Sequence, residues 1–405
     1  MSFLLSSQNV LEYLNEKGLC DQEQYPSQIK EKSSKNFNLL VSFTNDRHLL
    51  IKQVQEQEGK TKKYFLDEWG IHDLLQKFSE LSPISSRISE AIHFDPERSI
   101  IVFNYLINYW DLTDFYAQEQ IFPLEIASSI GAAIATIHRS TIDTEQYKNF
   151  LAQSCKKQSI DRIPNLLRGL ERIEPEVFGS VCLDGIQFFV LYQLYDSLGS
   201  AIAELNAAFQ PCCLTHNDLK LDNILVHRDF ISRYQDQPEH DISSMNDIVR
   251  LIDWEHSRWG DPAFDLGMLI ASYLKIWLGS LVINADMDIE TSLASAITPL
   301  EQVQPSIVAL AKAYFQHFPE ILERRPDFFK RVMQFTGFAL IRRIQAKLEY
   351  RETFDNTGIC MLQVAKTLLC RPEQSIPIVF GTTASEQLVK GEREKGKGKR
   401  EIRNS

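Results

Sequence analysis

The sequence predicts an α+β chain in which a small β-rich N-terminal part precedes a larger helical one. Three observations predict it. The first hundred residues hold short apolar runs separated by turn-forming residues, the spacing of strands. Beyond Asn108 the apolar residues recur every three to four positions, the spacing of packed helices. The chain has 405 residues, 44% apolar and 24% charged, which suits a globular protein larger than a single small domain.

Taken in order, strands are expected over 38–43 and 48–54, with Thr44-Asn45-Asp46 as the turn of an antiparallel hairpin. A helix is expected over 64–78, then strands over 91–94 and 99–106. Pro123 suits the first turn of a helix whose Ile126, Ile130, Ile134 and Ile137 share one face. Two more strands, 224–226 and 248–252, flank a polar stretch at 228–247 that is long for a hairpin loop. Helices are expected over 264–278, 305–318, 327–350 and around 358–369. The last sixteen residues, 390–405, combine Lys, Arg, Glu and Gly with almost nothing apolar, and are expected to be disordered. The domain expectation is therefore 1–106, 107–383 and a basic tail at 384–405.

A net charge of −11 argues against a general nucleic-acid binder, which needs excess Lys and Arg on its binding face. The seven cysteines show no C-x-x-C spacing and read as ordinary thiols. The first ten residues lack the basic and apolar regions of a secretion signal, so a cytoplasmic location is expected. Residues 267–283 are apolar, but they fall short of the roughly 20 residues of a membrane span and include Lys275. A buried helix is expected there, and no membrane association.

The densest polar constellation is H-N-D-L-K-L-D-N at 216–223, followed by I-D-W-E at 252–255 and G-D-P-A-F-D-L-G at 260–267. Phosphoryl transfer from ATP needs a carboxylate near the acceptor hydroxyl and oxygen ligands for Mg²⁺, because its catalysis is mostly positioning and charge neutralisation. Asp218 and Asn223, five residues apart in a loop leading into a strand, suit that need. Asp253 at the end of the next strand would add a second metal ligand. The plainer reading makes Asp218 and Asn223 turn residues that satisfy their own backbone, and Asp253 a strand-end cap. Each motif alone is weak; their order and spacing give them weight.

This segment resembles the aminoglycoside phosphotransferase and choline kinase group, a branch of the protein-kinase-like fold, which carries H-x-D-x-x-x-x-N, then I-D-W/F, then G-D-P-x-x-D-L. The resemblance implies a two-lobed kinase-like fold with Asp218 as catalytic base, Asn223 and Asp253 as Mg²⁺ ligands, His216 as a loop-shaping residue and Asp265 as a brace for the catalytic loop. It also requires a nucleotide-clamping lysine in the first lobe. Lys52 in H-L-L-I-K-Q and Glu68 in F-L-D-E-W are the expected pair; otherwise they are a solvated strand lysine and helix glutamate. No Gly-rich loop precedes Lys52, so Ser33, Ser34 and Asn36 are the candidate phosphate donors. The backbone of 103–106, including Phe103 and Tyr105, is the candidate adenine contact. His138 sits where the group commonly has L-x-x-L-H and is expected to serve structure, by capping and packing. Glu255 is open between metal or substrate contact and neither.

The leading functional expectation is transfer of the γ-phosphoryl of ATP to a hydroxyl of a small molecule. A Ser/Thr kinase acting on a peptide, such as the precursor of a ribosomal peptide product, is the second reading. An inactive kinase-shaped binding or scaffold protein is the third, and joint retention of Lys52, Glu68, Asp218, Asn223 and Asp253 speaks against it.

Overall fold

The computed structural model of the protein describes residues 3–21, 25–32, 37–54, 64–154, 183–230, 248–282, 287–349 and 353–382. In chain order the elements that matter for the site begin with α1 (Val10–Glu16), β1 (Pro26–Lys32), β2 (Phe37–Phe43), β3 (His48–Gln53) and α2 (Tyr64–Lys77). There follow β4 (Ala91–Asp95), β5 (Ile100–Asn104), β6 (Tyr109–Asp111), α3 (Leu112–Glu119) and α4 (Leu124–Thr141). Next come β7 (Cys213–Thr215), β8 (Ile224–His227), β9 (Val249–Leu251), β10 (Arg258–Gly260) and α5 (Pro262–Gly279). The chain continues through α6 (Leu300–His317), α7 (Phe328–Glu349), α8 (Asn356–Cys370) and α9 (Pro372–Phe380). The α+β class, with a β-rich N-terminal part and a helical remainder, is as expected.

These elements form two compact units, and each is assembled from separate stretches of chain. The first draws on 1–118, 144–158 and 222–258; the second draws on 119–143, 159–221 and 259–405.

The first unit contains a five-stranded antiparallel sheet in the order β1-β2-β3-β5-β4. Alternation along β3 sends successive side chains to opposite faces. Leu49 and Ile51 pack with Val10, Tyr13 and Leu14 of α1. Leu50 lies on the other face with Phe65 and Trp69 of α2 and with Phe103 of β5. Lys52 shares the parity of Leu50, so strand periodicity alone turns its side chain toward α2. A three-stranded antiparallel sheet, β6-β8-β9, completes this unit. It is tied in by the parallel bridge from Ile88 to Leu251 and by the Leu251 N–H donating to the Arg87 carbonyl at 2.8 Å.

The second unit is helical around a short β7–β10 ladder. Gly260 is required there: a Cβ would collide with the Thr215 hydroxyl, and the Gly260 carbonyl accepts from Cys212 N–H at 2.9 Å. Asp261 caps α5 by accepting from the Ala263 N–H, and Pro262 takes the first helical position, where its missing N–H costs nothing. Gly131 brings α4 and α6 together, since a side chain there would strike the Leu310 carbonyl.

Some boundaries differ from expectation for physical reasons. The helix α6 begins at Leu300 and passes through Pro305 instead of starting there. Pro123 sits just outside α4, with extended backbone. The strand β1 escapes sequence patterning because its exposed edge carries Lys, Gln and Glu with little apolar alternation. Among the described residues no helix is long and apolar enough to cross a membrane; the 267–283 stretch falls mostly in α5, whose side chains are largely buried. The expectations for Ser33, Ser34, Asn36, most of the 228–247 stretch and the tail lie outside the described residues.

Candidate active site

In the first unit, Lys52 is the centre of a partly buried charge cluster. Its ammonium donates to Asp253 Oδ1 at 3.0 Å and lies 3.6 Å from Glu68 Oε1. It also sits 5.0 Å from the centroid of the Phe103 ring, a cation–π contact under the same strand face. Glu68 is fully buried, reached by α2 from the side to which β3 turns Lys52. Glu255, itself buried, adds negative potential to both residues. Burial opposes the charge on Lys52, but Glu68 and Asp253 outweigh it and hold the ammonium well above the usual lysine range. Burial pushes the Glu68 carboxyl up, and the nearby Lys52 only partly offsets this. Glu68, Asp253 and Glu255 thus all favour the charged form of this ammonium.

Asp253 stands at the end of β9 with left-handed backbone, φ 67°. An Asp tolerates this conformation better than most residues, and here it turns the chain from the strand into the short 3₁₀ turn Trp254–His256. Asn223 ends the 3₁₀ turn Leu221–Asn223. Its carbonyl accepts from the Ile252 N–H at 3.0 Å, so Asn223 and the residue before Asp253 are adjacent backbones. Asn and Asp oxygens are hard donors suited to Mg²⁺. The two side chains thus offer the donor type such an ion takes, although among the described residues no group of three or more His, Cys, Asp or Glu is gathered for a metal.

A cavity of about 390 Å³ opens in this unit beside Lys52 and Asp253. Leu50, Phe103, Tyr105, Leu106 and Ile252 supply apolar and aromatic wall, while Asp111, Asp114 and Arg228 supply charge. Its volume lies within the range of small-molecule pockets. Tyr105 N–H donates to the His48 carbonyl at 2.8 Å and so is already engaged; its hydroxyl accepts from Lys32 at 2.6 Å. Phe103 pairs on both sides, with β3 and β4, so its contribution to the cavity is its side chain. Asp111, missed in the sequence, caps α3 through the Thr113 and Asp114 N–H groups. Burial moves its carboxyl up to about 6. Thr113 in turn donates to Asp222, the neighbour of Asn223, at 2.5 Å.

In the second unit, the 216–218 turn is held from its own backbone. Asp265 accepts from His216 N–H at 2.7 Å and from Asn217 N–H at 2.8 Å, one carboxylate oxygen each. His138 Nε2 lies 3.3 Å from the oxygen that serves His216, and His138 Nδ1 lies 3.0 Å from the Tyr314 hydroxyl. All five residues are almost completely buried, whereas the neighbouring Asp218 is only partly so. Burial works against ionising Asp265, but the hydrogen bond from His138, helped by the backbone N–H of His216, more than offsets it and keeps the carboxyl below its usual range. Asn217 adopts left-handed backbone, φ 62°, and so reverses the chain before Asp218. The His216 ring accepts from Asp218 N–H at 3.3 Å, and Asp218 itself receives Lys220 Nζ at 2.8 Å.

The geometry thus brings Lys52, Glu68, Asp253 and Phe103 together in one unit, and His216, Asp265 and His138 in the other. Sequence reasoning gave His138 capping and packing; its bond to Asp265 spans 127 positions and has no local signal. Asp261 was also passed over as a ligand of anything. It accepts from Arg325, Gln210 N–H and Ala263 N–H, and the Asp-Pro pair at a helix start was its available signal.

Among solved structures, a choline/ethanolamine kinase family protein from Mesorhizobium loti is similar at 15% identity and TM-score 0.48, covering 93% of this chain and 99% of its own. Choline kinase LicA from Streptococcus pneumoniae is similar at 14% and 0.47, over 89% and 98%. The amicoumacin kinase hAmiN, solved with AMP-PNP, Ca²⁺ and Ami, is similar at 12% and 0.45, over 90% and 93%. No curated protein matches the sequence at a significant level. Residues 109–275, which hold His138 and the whole of the 216–265 segment, match the family model of choline/ethanolamine kinase, and this is the family the chain resembles.

Proposed function

We propose that the protein is an ATP-dependent phosphotransferase that moves the γ-phosphoryl of ATP to a hydroxyl of a small molecule. The observation that carries this reading is the partly buried Lys52, paired to Glu68 and Asp253 on the wall of a cavity of small-molecule size. The match of 109–275 to the choline/ethanolamine kinase family supports it and favours a small alcohol as acceptor.

In this reading Lys52 binds the α- and β-phosphates, and Glu68 keeps its ammonium aimed. The base lies against the Phe103–Leu106 side of the cavity. Asn223 and Asp253 hold Mg²⁺, which, when bound, neutralises charge developing on the phosphate oxygens. Asp218 accepts the acceptor's hydroxyl proton; the alcohol oxygen bonds to the γ-phosphorus as its bond to the β,γ-bridging oxygen breaks, and ADP leaves. Asp265 holds the 216–218 turn in place from behind. Residues 1–106 serve mainly the nucleotide and 107–383 the chemistry and acceptor, with Asn223 and Asp253 contributing to the nucleotide site.

The test uses the purified full chain with Mg²⁺ and ATP. Ligand at about a hundred times its Kd stabilises the folded state by ~2.7 kcal/mol, a readable shift in Tm. Asp253→Ala removes most of that shift. Asp218→Ala keeps it but abolishes transfer in an acceptor screen with labelled ATP. An unchanged wild-type Tm at millimolar Mg·ATP refutes the proposal.

A further inference from the structure

Four elements of the second unit meet at one buried line of polar atoms. Tyr314 comes from α6, His138 from α4 and Asp265 from the first turn of α5, and the line ends on the N–H groups of His216 and Asn217. Nothing in the phosphotransfer reading uses Tyr314, and a tyrosine at a helix–helix contact is ordinarily only packing. Its hydroxyl nevertheless lies 3.0 Å from His138 Nδ1. A neutral imidazole has one donor and one acceptor nitrogen, and the bond at one decides the role of the other.

We infer that Tyr314 is a positioning residue: its O–H donates to His138 Nδ1, fixing the proton on Nε2, where it is given to Asp265, the carboxylate that holds the turn before Asp218. This rests on the proposed role of Asp218.

Each link has a physical reason. Burial raises the Tyr314 phenol far above its ordinary range, so the hydroxyl keeps its proton and can donate. Its ring stacks on Phe328 at 5.9 Å and 6° and meets the His138 ring edge-on at 5.8 Å, which fixes the position of the hydroxyl oxygen. Gly131 permits the close approach of α4 to α6 two turns earlier, against Leu310, one turn before Tyr314. Asp265 already serves two backbone donors with its two oxygens. A third donor at Nε2 compensates its burial, whereas the opposite tautomer would aim a lone pair at a carboxylate.

The variant Tyr314→Phe removes only the hydroxyl and leaves the stacked ring. In the ¹⁵N-labelled full chain, with His138→Gln used to assign the ring, long-range ¹H–¹⁵N correlation is expected to show a neutral His138 protonated on Nε2. In Tyr314→Phe that pattern is expected to become a tautomer mixture. Losing one neutral hydrogen bond corresponds to about tenfold, read as faster amide exchange at His216 and Asn217 and as a similar fall in kcat with the KM for ATP unchanged. A purely packing tyrosine would move neither the tautomer nor those two amides selectively. His138 found protonated on Nδ1, or on both nitrogens, overturns the inference, as does a tautomer unchanged in Tyr314→Phe. Absence of phosphotransfer in the wild type refutes the proposed function alone, because the ring and amide readouts still decide the relay.

Discussion

Replacing Asp265 by Asn probes the brace behind the 216–218 turn. The carboxylate accepts from two backbone N–H groups, at 2.7 and 2.8 Å, and lies 3.3 Å from His138 Nε2. An asparagine has one acceptor oxygen. Its best orientation keeps that oxygen toward His216 and His138 and turns its NH₂ onto the Asn217 N–H. One buried donor then has no partner, and the other two bonds lose their charge. An unpaired buried donor costs ~1–3 kcal/mol, and a charge-assisted bond is worth roughly twice a neutral one, so a loss of about 3 kcal/mol is expected. Urea unfolding followed by the fluorescence of Trp259 and Trp277, both buried in the same unit, reads it as a lowered midpoint.

The same substitution has a pH signature. The folded carboxyl titrates below its ordinary value of 3.8, so the stability it confers is complete above that value and is lost as pH falls through the depressed folded pKa. Asparagine does not titrate. The gap between wild type and Asp265→Asn should therefore close below about pH 4. A destabilisation under about 1 kcal/mol, or a gap that persists in acid, would refute the assignment of Asp265 as an ionised brace.

Lys52→Met leaves the Glu68 carboxyl buried without its cation and should cost about 3–5 kcal/mol. Because a carboxyl with a raised folded pKa loses stability as pH rises through that pKa, the deficit should be larger at about pH 8 than at about pH 6 in thermal melts. Arg325→Met leaves Asp261, fully buried, with only backbone donors; about 3 kcal/mol of destabilisation is expected by denaturant titration, and a neutral result would mean that the pair contributes nothing. Gly131→Ala gains helix propensity but drives a methyl into the Leu310 carbonyl, so a net loss of ~1–3 kcal/mol is expected, with α4 and α6 losing amide protection together.

The parts of the fold legible in the sequence were those with local periodicity. The strands 37–43 and 48–53 and the helix 64–77 announce themselves by alternation and by helical spacing. The strand β1 does not, because an edge strand that resists further pairing is polar. The three-residue strand β6 is too short to carry a pattern at all. At the candidate site, Lys52 and Glu68 were found because a strand and the following helix bring them together over 16 positions. The Tyr314 to His138 link spans 176 positions and is set by how α6 packs on α4. The Lys220 contact on Asp218 is a rotamer choice, invisible in a string of residues.

The first unit is not finished until its third stretch, 222–258, has been made. Asp253 joins Lys52 across 201 positions, so on the ribosome the lysine strand exists long before its second carboxylate. At roughly 5–20 residues per second that interval is some ten to forty seconds, for most of which β6 lacks β8 and Ile88 lacks Leu251, the partners they pair with in the finished unit. The N-terminal part alone therefore lacks the elements that close it. A nascent chain halted before 258 is expected to present an open sheet region to chaperones, and a fragment ending at 118 to be less protease-resistant than the same residues within the full chain.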